Sequence, residues 1–162
     1  ARMVEGGEDP KFIARRLLIS ASEDIGNANP TALVIATSAF QAVERIGWPE
    51  ARIILSQCTV YLATSAKSNS SFLAINDAQE LVRDTGDLQV PLHLRNAPTS
   101  LMSKIGFGDG YQYDHNSSRN FSFQECMPES LSGTRLYNPG DNQRETQMRS
   151  QLRALWKQKY GY

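Results

Sequence analysis

Asp9-Pro10 and Gly26 punctuate the chain so sharply that the residues between them have little choice but to form a helix. Asp9 can accept a hydrogen bond from the first helical turn, and Pro10 fits the first helical position, where a backbone N–H has no acceptor within the helix. Ile13, Leu17, Ala21 and Ile25 recur every fourth residue and form one apolar stripe. Arg16, Ser20, Glu23 and Asp24 lie on neighbouring rows, so a cation stands two turns from two carboxylates. The whole opening run, from Met3-Val4-Glu5-Gly6-Gly7-Glu8 through Arg15 and Arg16, combines helix punctuation with an unusual row of charges.

The same grammar continues. Asn29 and Pro30 repeat the cap-plus-proline start, with Leu33, Ala36, Phe40 and Val43 at helical spacing before Gly47. Pro49 opens a third helix whose buried side is Ile54, Cys58, Tyr61 and Leu62, and Gly-Trp-Pro between the two suggests an antiparallel hairpin of helices. Asn69 or Ser70 can cap a fourth, carrying Phe72, Ala74, Ile75, Ala78, Leu81 and Val82 up to Thr85-Gly86-Asp87. None of these segments alternates as a half-buried strand does, so the expected fold class is all-α, built on a four-helix core.

At 162 residues and 40% hydrophobic content the chain suits one well-buried domain. Its expected parts are a helical core at about 10–85, a loop-rich segment at about 86–142 and a long C-terminal helix at about 143–159. The middle segment is rich in proline and glycine; Thr99 to Ile105 could form one short helix, and Tyr111, Tyr113 and His115 a small extended strand or hairpin. In the last helix Met148, Leu152 and Leu155 form the packing side, while Arg149, Arg153 and Lys157 stand four apart on another face.

Lys+Arg and Asp+Glu both number 17, whereas a free-standing nucleic-acid module usually carries a basic excess. Cys58 and Cys126 offer neither a disulfide framework nor, with His93 and His115, the short spacing of a zinc site. A reducing cytoplasm fits best. No apolar run approaches the roughly 20 residues that span a bilayer, and no signal peptide opens the chain. Ala1-Arg2-Met3-Val4 reads as the end of a longer helix, so an excised domain is expected. The phosphate-binding Gly-x-x-x-x-Gly-Lys-Ser/Thr loop and the Gly-x-Ser-x-Gly nucleophile elbow are both missing from the sequence, and no catalytic, cofactor or metal residue is assigned.

Each remaining candidate has a functional and a structural reading. Arg15, Arg16, Glu23 and Asp24 could bind Mg²⁺ or move protons, but adjacent helical carboxylates point about 100° apart. Charges that tie this helix to other segments or to a neighbouring subunit are the better reading. His93, Arg95 and Asn96 lie between Pro91 and Pro98, where an extended segment would project the histidine and arginine to one side. A buried histidine and a guanidinium satisfying loop carbonyls explain the same pattern. Tyr111, Tyr113, Phe121 and Phe123 with Arg119 could stack single-stranded bases or plug a small satellite core. The stripe Arg149, Arg153, Lys157 reads as a solvated face or as a DNA contact.

The opening run, together with Pro91-Leu92-His93-Leu94-Arg95-Asn96-Ala97-Pro98, Gly106 to His115, and Pro128 to Pro139 with Leu131, Gly133 and Tyr137, resembles the C-terminal region of the replication-associated recombination protein A family. These are bacterial AAA-type ATPases similar to the eukaryotic Werner-helicase-interacting ATPase. The matching segments follow in family order over nearly the whole chain; Phe107 stands where tyrosine is common, and Cys126-Met127 where an aromatic-Leu pair is usual.

The resemblance implies a helical oligomerisation domain similar to the clamp-loader collar, which assembles its parent into a homotetramer at stalled or recombining replication forks. It implies that ATP and Mg²⁺ belong to a missing ATPase domain, and that the parent contacts DNA and replication proteins such as single-strand-binding protein or a helicase. A bacterial, nucleoid-associated location follows from the same likeness. Helix faces around residues 30 to 82 are the expected self-association surface. Two other readings remain open: an adaptor whose loop-rich half and basic helix bind nucleic acid or a partner, and a small helical enzyme, for which no perturbed acid or nucleophile stands out.

Overall fold

The computed structural model describes all of residues 1–162. It contains helices and turns and no strand: α1 (Arg2–Glu5), α2 (Pro10–Ser20), α3 (Thr31–Ile46), α4 (Ala51–Thr64), α5 (Ser70–Thr85), α6 (Ser100–Lys104) and α7 (Gln143–Trp156), with short 3-10 turns between them. The all-α class is as the sequence implies. The chain divides into two compact units, one comprising Ala1–Asp77 and Tyr137–Arg149, the other Ala78–Leu136 and Ser150–Tyr162.

In the first unit α2, α3 and α4 pack on one another. Asp9 caps α2 as its sequence requires, its carboxylate accepting from Lys11 N at 2.8 Å with Pro10 at the first position. The stripe lands inside: Ala21 and Ile25 are fully buried, and Ile13 and Leu17 pack at the core's edge. Six buried alanines (Ala14, Ala21, Ala32, Ala36, Ala39 and Ala51) let the helices approach closely around Val43, Leu55, Cys58 and Leu62. Each large aliphatic side chain so buried stabilises the fold by about 1.5–3 kcal/mol.

Three local expectations change. Asn29 does not cap α3; its amide instead donates to Tyr61 Oη at 3.1 Å and Ser65 Oγ at 3.0 Å, tying the α3 entrance to the end of α4. Leu33 is 44% exposed, because α3 buries its alanines, Ala32, Ala36 and Ala39, and lets the larger neighbour face out. The core has three long helices rather than four, since the one buried residue of α5 is Ser70.

After Ser20 the helix widens into a π-turn over Ala21–Ile25 and stops at Gly26. Gly26 adopts φ 47 and ψ −130, and a Cβ there would meet the Ser68 carbonyl at 3.0 Å. Beside it Ser68 N donates to Asp24 O at 2.8 Å, closing the segment before α5 onto the π-turn. Gly26→Ala is expected to lower stability by about 1–3 kcal/mol through backbone strain and this clash. A urea midpoint equal to that of the parent chain would contradict it.

In the second unit Thr99 caps α6, accepting from Met102 N at 3.3 Å. The expected strand at Tyr111 to His115 does not form. Residues 111–113 are extended but unladdered, and Asp114–Asn116 turns as a 3-10 helix. The C-terminal helix ends at Trp156 rather than near 159, with Lys157 at φ 55 turning the chain back.

Candidate functional site

The opening charges are exposed. Asp24 accepts from Ser20 Oγ at 2.6 Å, whereas Arg15, Arg16 and Glu23 reach no partner within the chain. The ion pair on this helix is Lys11 with Glu44 of α3, 3.5 Å apart and half exposed, which contributes at most about 1 kcal/mol. Of the structural roles expected for this run, contact with another subunit is the one Arg15, Arg16 and Glu23 remain free to fill.

α4 carries an outward apolar face. Ile53 and Val60, seven positions apart and hence on one side of the helix, are 61% and 60% exposed. They line a groove of about 980 Å³ with Met3, Val4, Ile13 and Leu17. Phe72 and Ile75 of α5 are also exposed, at 42% and 54%. An apolar surface of this kind marks an interaction site more often than it occurs without a role.

The most buried ionisable group of the chain, Glu145, escaped the sequence reading. Its Oε1 accepts from Tyr137 Oη at 2.8 Å and its Oε2 from Asn142 Nδ2 at 2.5 Å, while its backbone N–H donates to Asn142 Oδ1 at 3.0 Å. The Ser68 hydroxyl completes the set, and a Cβ on Gly140 would come within 2.7 Å of Oε2. Asn142-x-x-Glu145 is a capping box at the start of α7, a signal that was present in the sequence. Burial raises the Glu145 carboxyl's pKa, but the donors outweigh it and hold the group below its ordinary value. The cluster is structural: every acceptor faces a donor of the same unit.

In the second unit His93 lies in a 3-10 turn, Leu92–Leu94, rather than an extended segment, so it does not project alongside Arg95. His93 Nε2 donates to the Glu125 carbonyl at 2.9 Å; a carbonyl only accepts, which fixes the ring proton on Nε2. Arg95 donates to Val90 O at 2.6 Å and Gln89 Oε1 at 2.9 Å and covers the Phe107 ring at 5.1 Å. Both therefore take the loop-organising role. Asn96 is exposed.

Glu125 is the polar node of this unit. Its carboxylate accepts from Met127 N at 2.9 Å, Ser132 Oγ at 2.8 Å, Tyr160 Oη at 2.9 Å and Lys159 Nζ at 3.0 Å. The Lys159 ammonium also lies 5.3 to 5.6 Å from the Phe123, Trp156 and Tyr160 ring centres. Burial alone raises the Glu125 pKa, yet these donors bring it to about 2, and burial together with Glu125 pushes the Tyr160 hydroxyl up to about 12.

A carboxyl depressed in the fold contributes stability above its unfolded value, near 4.5, and loses it as pH falls towards 2. A tyrosine raised in the fold contributes stability below 10 and loses it as pH climbs towards 12. Stability of the chain is therefore expected to fall between pH 4.5 and 2, and Glu125→Gln is expected to flatten that limb. Urea midpoints across this range check it, and an acid limb unchanged by the substitution would contradict it.

The basic helix stripe is largely engaged. Arg149 donates to Asp141 Oδ1 at 3.1 Å and to the carbonyls of Pro139 and Gly140, and Arg153 Nε donates to Tyr162 O at 2.5 Å. Lys157 lies beyond the helix end, with its ammonium 5.8 Å from the Phe123 ring centre. Tyr111 and Tyr113 are each 54% exposed. No group of three or more His, Cys, Asp or Glu side chains gathers where a metal could sit, and no helix is long and apolar enough to cross a membrane.

An all-helical chain organised by capped helices and lacking a nucleotide-binding loop has the character of a domain appended to an AAA-type engine rather than of the engine. The chain belongs to the MgsA AAA+ ATPase C-terminal family, whose model matches residues 1–156. It is 44% identical over 153 residues to replication-associated recombination protein A of Coxiella burnetii, covering 94% of this chain and 35% of that protein. Its identity to the Escherichia coli K12 protein of the same name is 38% over 159 residues, 98% of this chain and 36% of that one. With the ATPase WRNIP1 of Dictyostelium discoideum it shares 46% over 114 residues, 70% of this chain and 13% of that protein. The chain thus spans about a third of the length of these bacterial relatives.

Proposed function

We propose that this domain assembles its parent AAA+ ATPase, as a helical collar similar to that of clamp loaders, into a homotetramer acting in replication-fork maintenance and recombination. The observation that carries this reading is the exposed apolar face of α4, Ile53 and Val60, beside its groove on an electrically neutral chain. A neutral chain does not repel a copy of itself, and burying two aliphatic side chains and the groove against that copy supplies the drive for association. Exposed and unpaired, Arg15, Arg16 and Glu23 offer charges of both signs for the rim of such a contact.

ATP and Mg²⁺ binding, and the hydrolysis that uses them, belong on this reading to the remainder of the longer protein, which works in the bacterial cytoplasm at the nucleoid. Contacts of the parent with DNA and with replication proteins such as single-strand-binding protein are part of the same proposal, drawn from the names of the relatives. Mass measurement of the chain and of its Ile53→Glu/Val60→Glu form tests the assembly.

A further inference from the structure

We propose that the loop layer formed by residues 110–124, with Lys157 beside it, is a stacking platform for the bases of a single-stranded nucleic acid. This goes beyond assembly and lies wholly within the second unit. Two segments run side by side: Gln112 N donates to Gln124 Oε1 at 3.3 Å, Gln124 Nε2 to Gly110 O at 3.2 Å, and Ser122 N to Asp114 Oδ1 at 3.0 Å. The pairing displays Tyr111 and Tyr113, each 54% exposed, and Phe123, 44% exposed.

The rings are of two kinds. Phe121 and Trp156 pack edge-to-face at 4.8 Å and anchor the layer, with Phe123 against Trp156 at 5.7 Å. Tyr111, Tyr113 and the outer side of Phe123 remain open, and a satellite core would not leave three aromatics about half exposed at residues two apart and across from each other. Cations adjoin them: the Lys157 ammonium lies 5.8 Å from the Phe123 ring centre, Arg119 is exposed, and His115 touches Tyr113 at 5.0 Å between ring centres.

Two carboxylates share the layer. Asp114 is occupied by Ser122 N, and Asp109 is exposed. Glu125 is neutralised by Lys159. The open charges next to the rings therefore lean positive, which suits phosphates and opposes an acidic protein face less specifically than it suits π-stacked bases.

Backbone strain points to the same place. The chain has four non-glycine residues at positive φ, namely Arg119 (65), Asn120 (51), Phe123 (57) and Lys157 (55), and all belong to this layer. Left-handed backbone at side chains this large costs free energy and is characteristically kept where it aims a group for use. Here it turns Phe123 and Lys157 outward together. By contrast, Arg149 and Arg153 of the helix stripe donate to acceptors of their own chain and are poorly placed to track phosphates.

The test is fluorescence anisotropy of the 162-residue chain with a labelled 20-mer oligothymidylate and with an abasic ribose-phosphate oligomer of equal length, at two salt concentrations. The expected result is binding to oligothymidylate at least tenfold tighter than to the abasic chain, weakened at least tenfold by Tyr111→Ala/Tyr113→Ala and several-fold by Lys157→Glu. Both tyrosines are exposed, so circular dichroism of the double variant should match the parent; Tyr111→Phe, which keeps the ring, should retain binding. Absence of binding at low salt, equal binding of the abasic oligomer, or unchanged affinity of the double tyrosine variant would each overturn the proposal.

Discussion

Replacing Glu145 with alanine is expected to cost this chain about 3 kcal/mol or more of folding stability. The carboxylate is fully buried and is the common acceptor for Tyr137, Asn142 and Ser68. Truncation leaves those donors facing a void, and each unsatisfied buried donor costs about 1–3 kcal/mol on its own. The capping of α7 suffers at the same time, because Asn142 is held in place by the side chain it serves.

Glu145→Gln should cost less than the alanine form, since one carbonyl acceptor survives, but its amide N–H groups would confront donors and so it should not be neutral. Equilibrium urea unfolding measures both. A loss below about 1 kcal/mol for the alanine variant would mean that the cluster tolerates solvent and does not anchor the start of α7.

The second large effect concerns association. Ile53→Glu with Val60→Glu is expected to weaken self-assembly at least a hundredfold, because it withdraws two aliphatic side chains from a dry contact and places two carboxylates there instead. About 3 kcal/mol, a small part of what burying two charges can cost, already corresponds to more than a hundredfold in the association constant. Thermal stability of the isolated fold should change little, since both positions are about 60% exposed. Unchanged mass alongside an unchanged melting curve would remove the α4 face from the interface and move attention to Phe72 and Ile75.

What could be read from the sequence is what local physics decides. Asp9, Pro10 and Gly26 act through their own backbone, and the structure uses them as the sequence demands. The four-residue stripe of α2 faces the core because nothing else on that helix could. Where the choice depended on neighbours, periodicity misled. Ala32, not Leu33, faces inward on α3, since close helix packing favours the smaller side chain. Asn29 resembles a cap but finds Tyr61 and Ser65 across the hairpin.

The second half was harder for the same reason. His93 gains its partner from Glu125, and Glu125 from Lys159 and Tyr160, across separations that no local spacing encodes. Tyr111 and Tyr113 alternate as a strand would, yet the neighbouring segment supplies side-chain amides rather than a ladder of backbone bonds. Glu145 is different: its capping box was legible and a buried carboxylate at that position could have been anticipated.

Assembly is the central claim, and light scattering behind size exclusion on the 162-residue chain tests it most directly, over a wide concentration range and at two salt concentrations. A mass of four chains that holds on dilution and is insensitive to salt is the predicted result, as expected of a contact made mainly by apolar side chains. A single-chain mass at every concentration would contradict it.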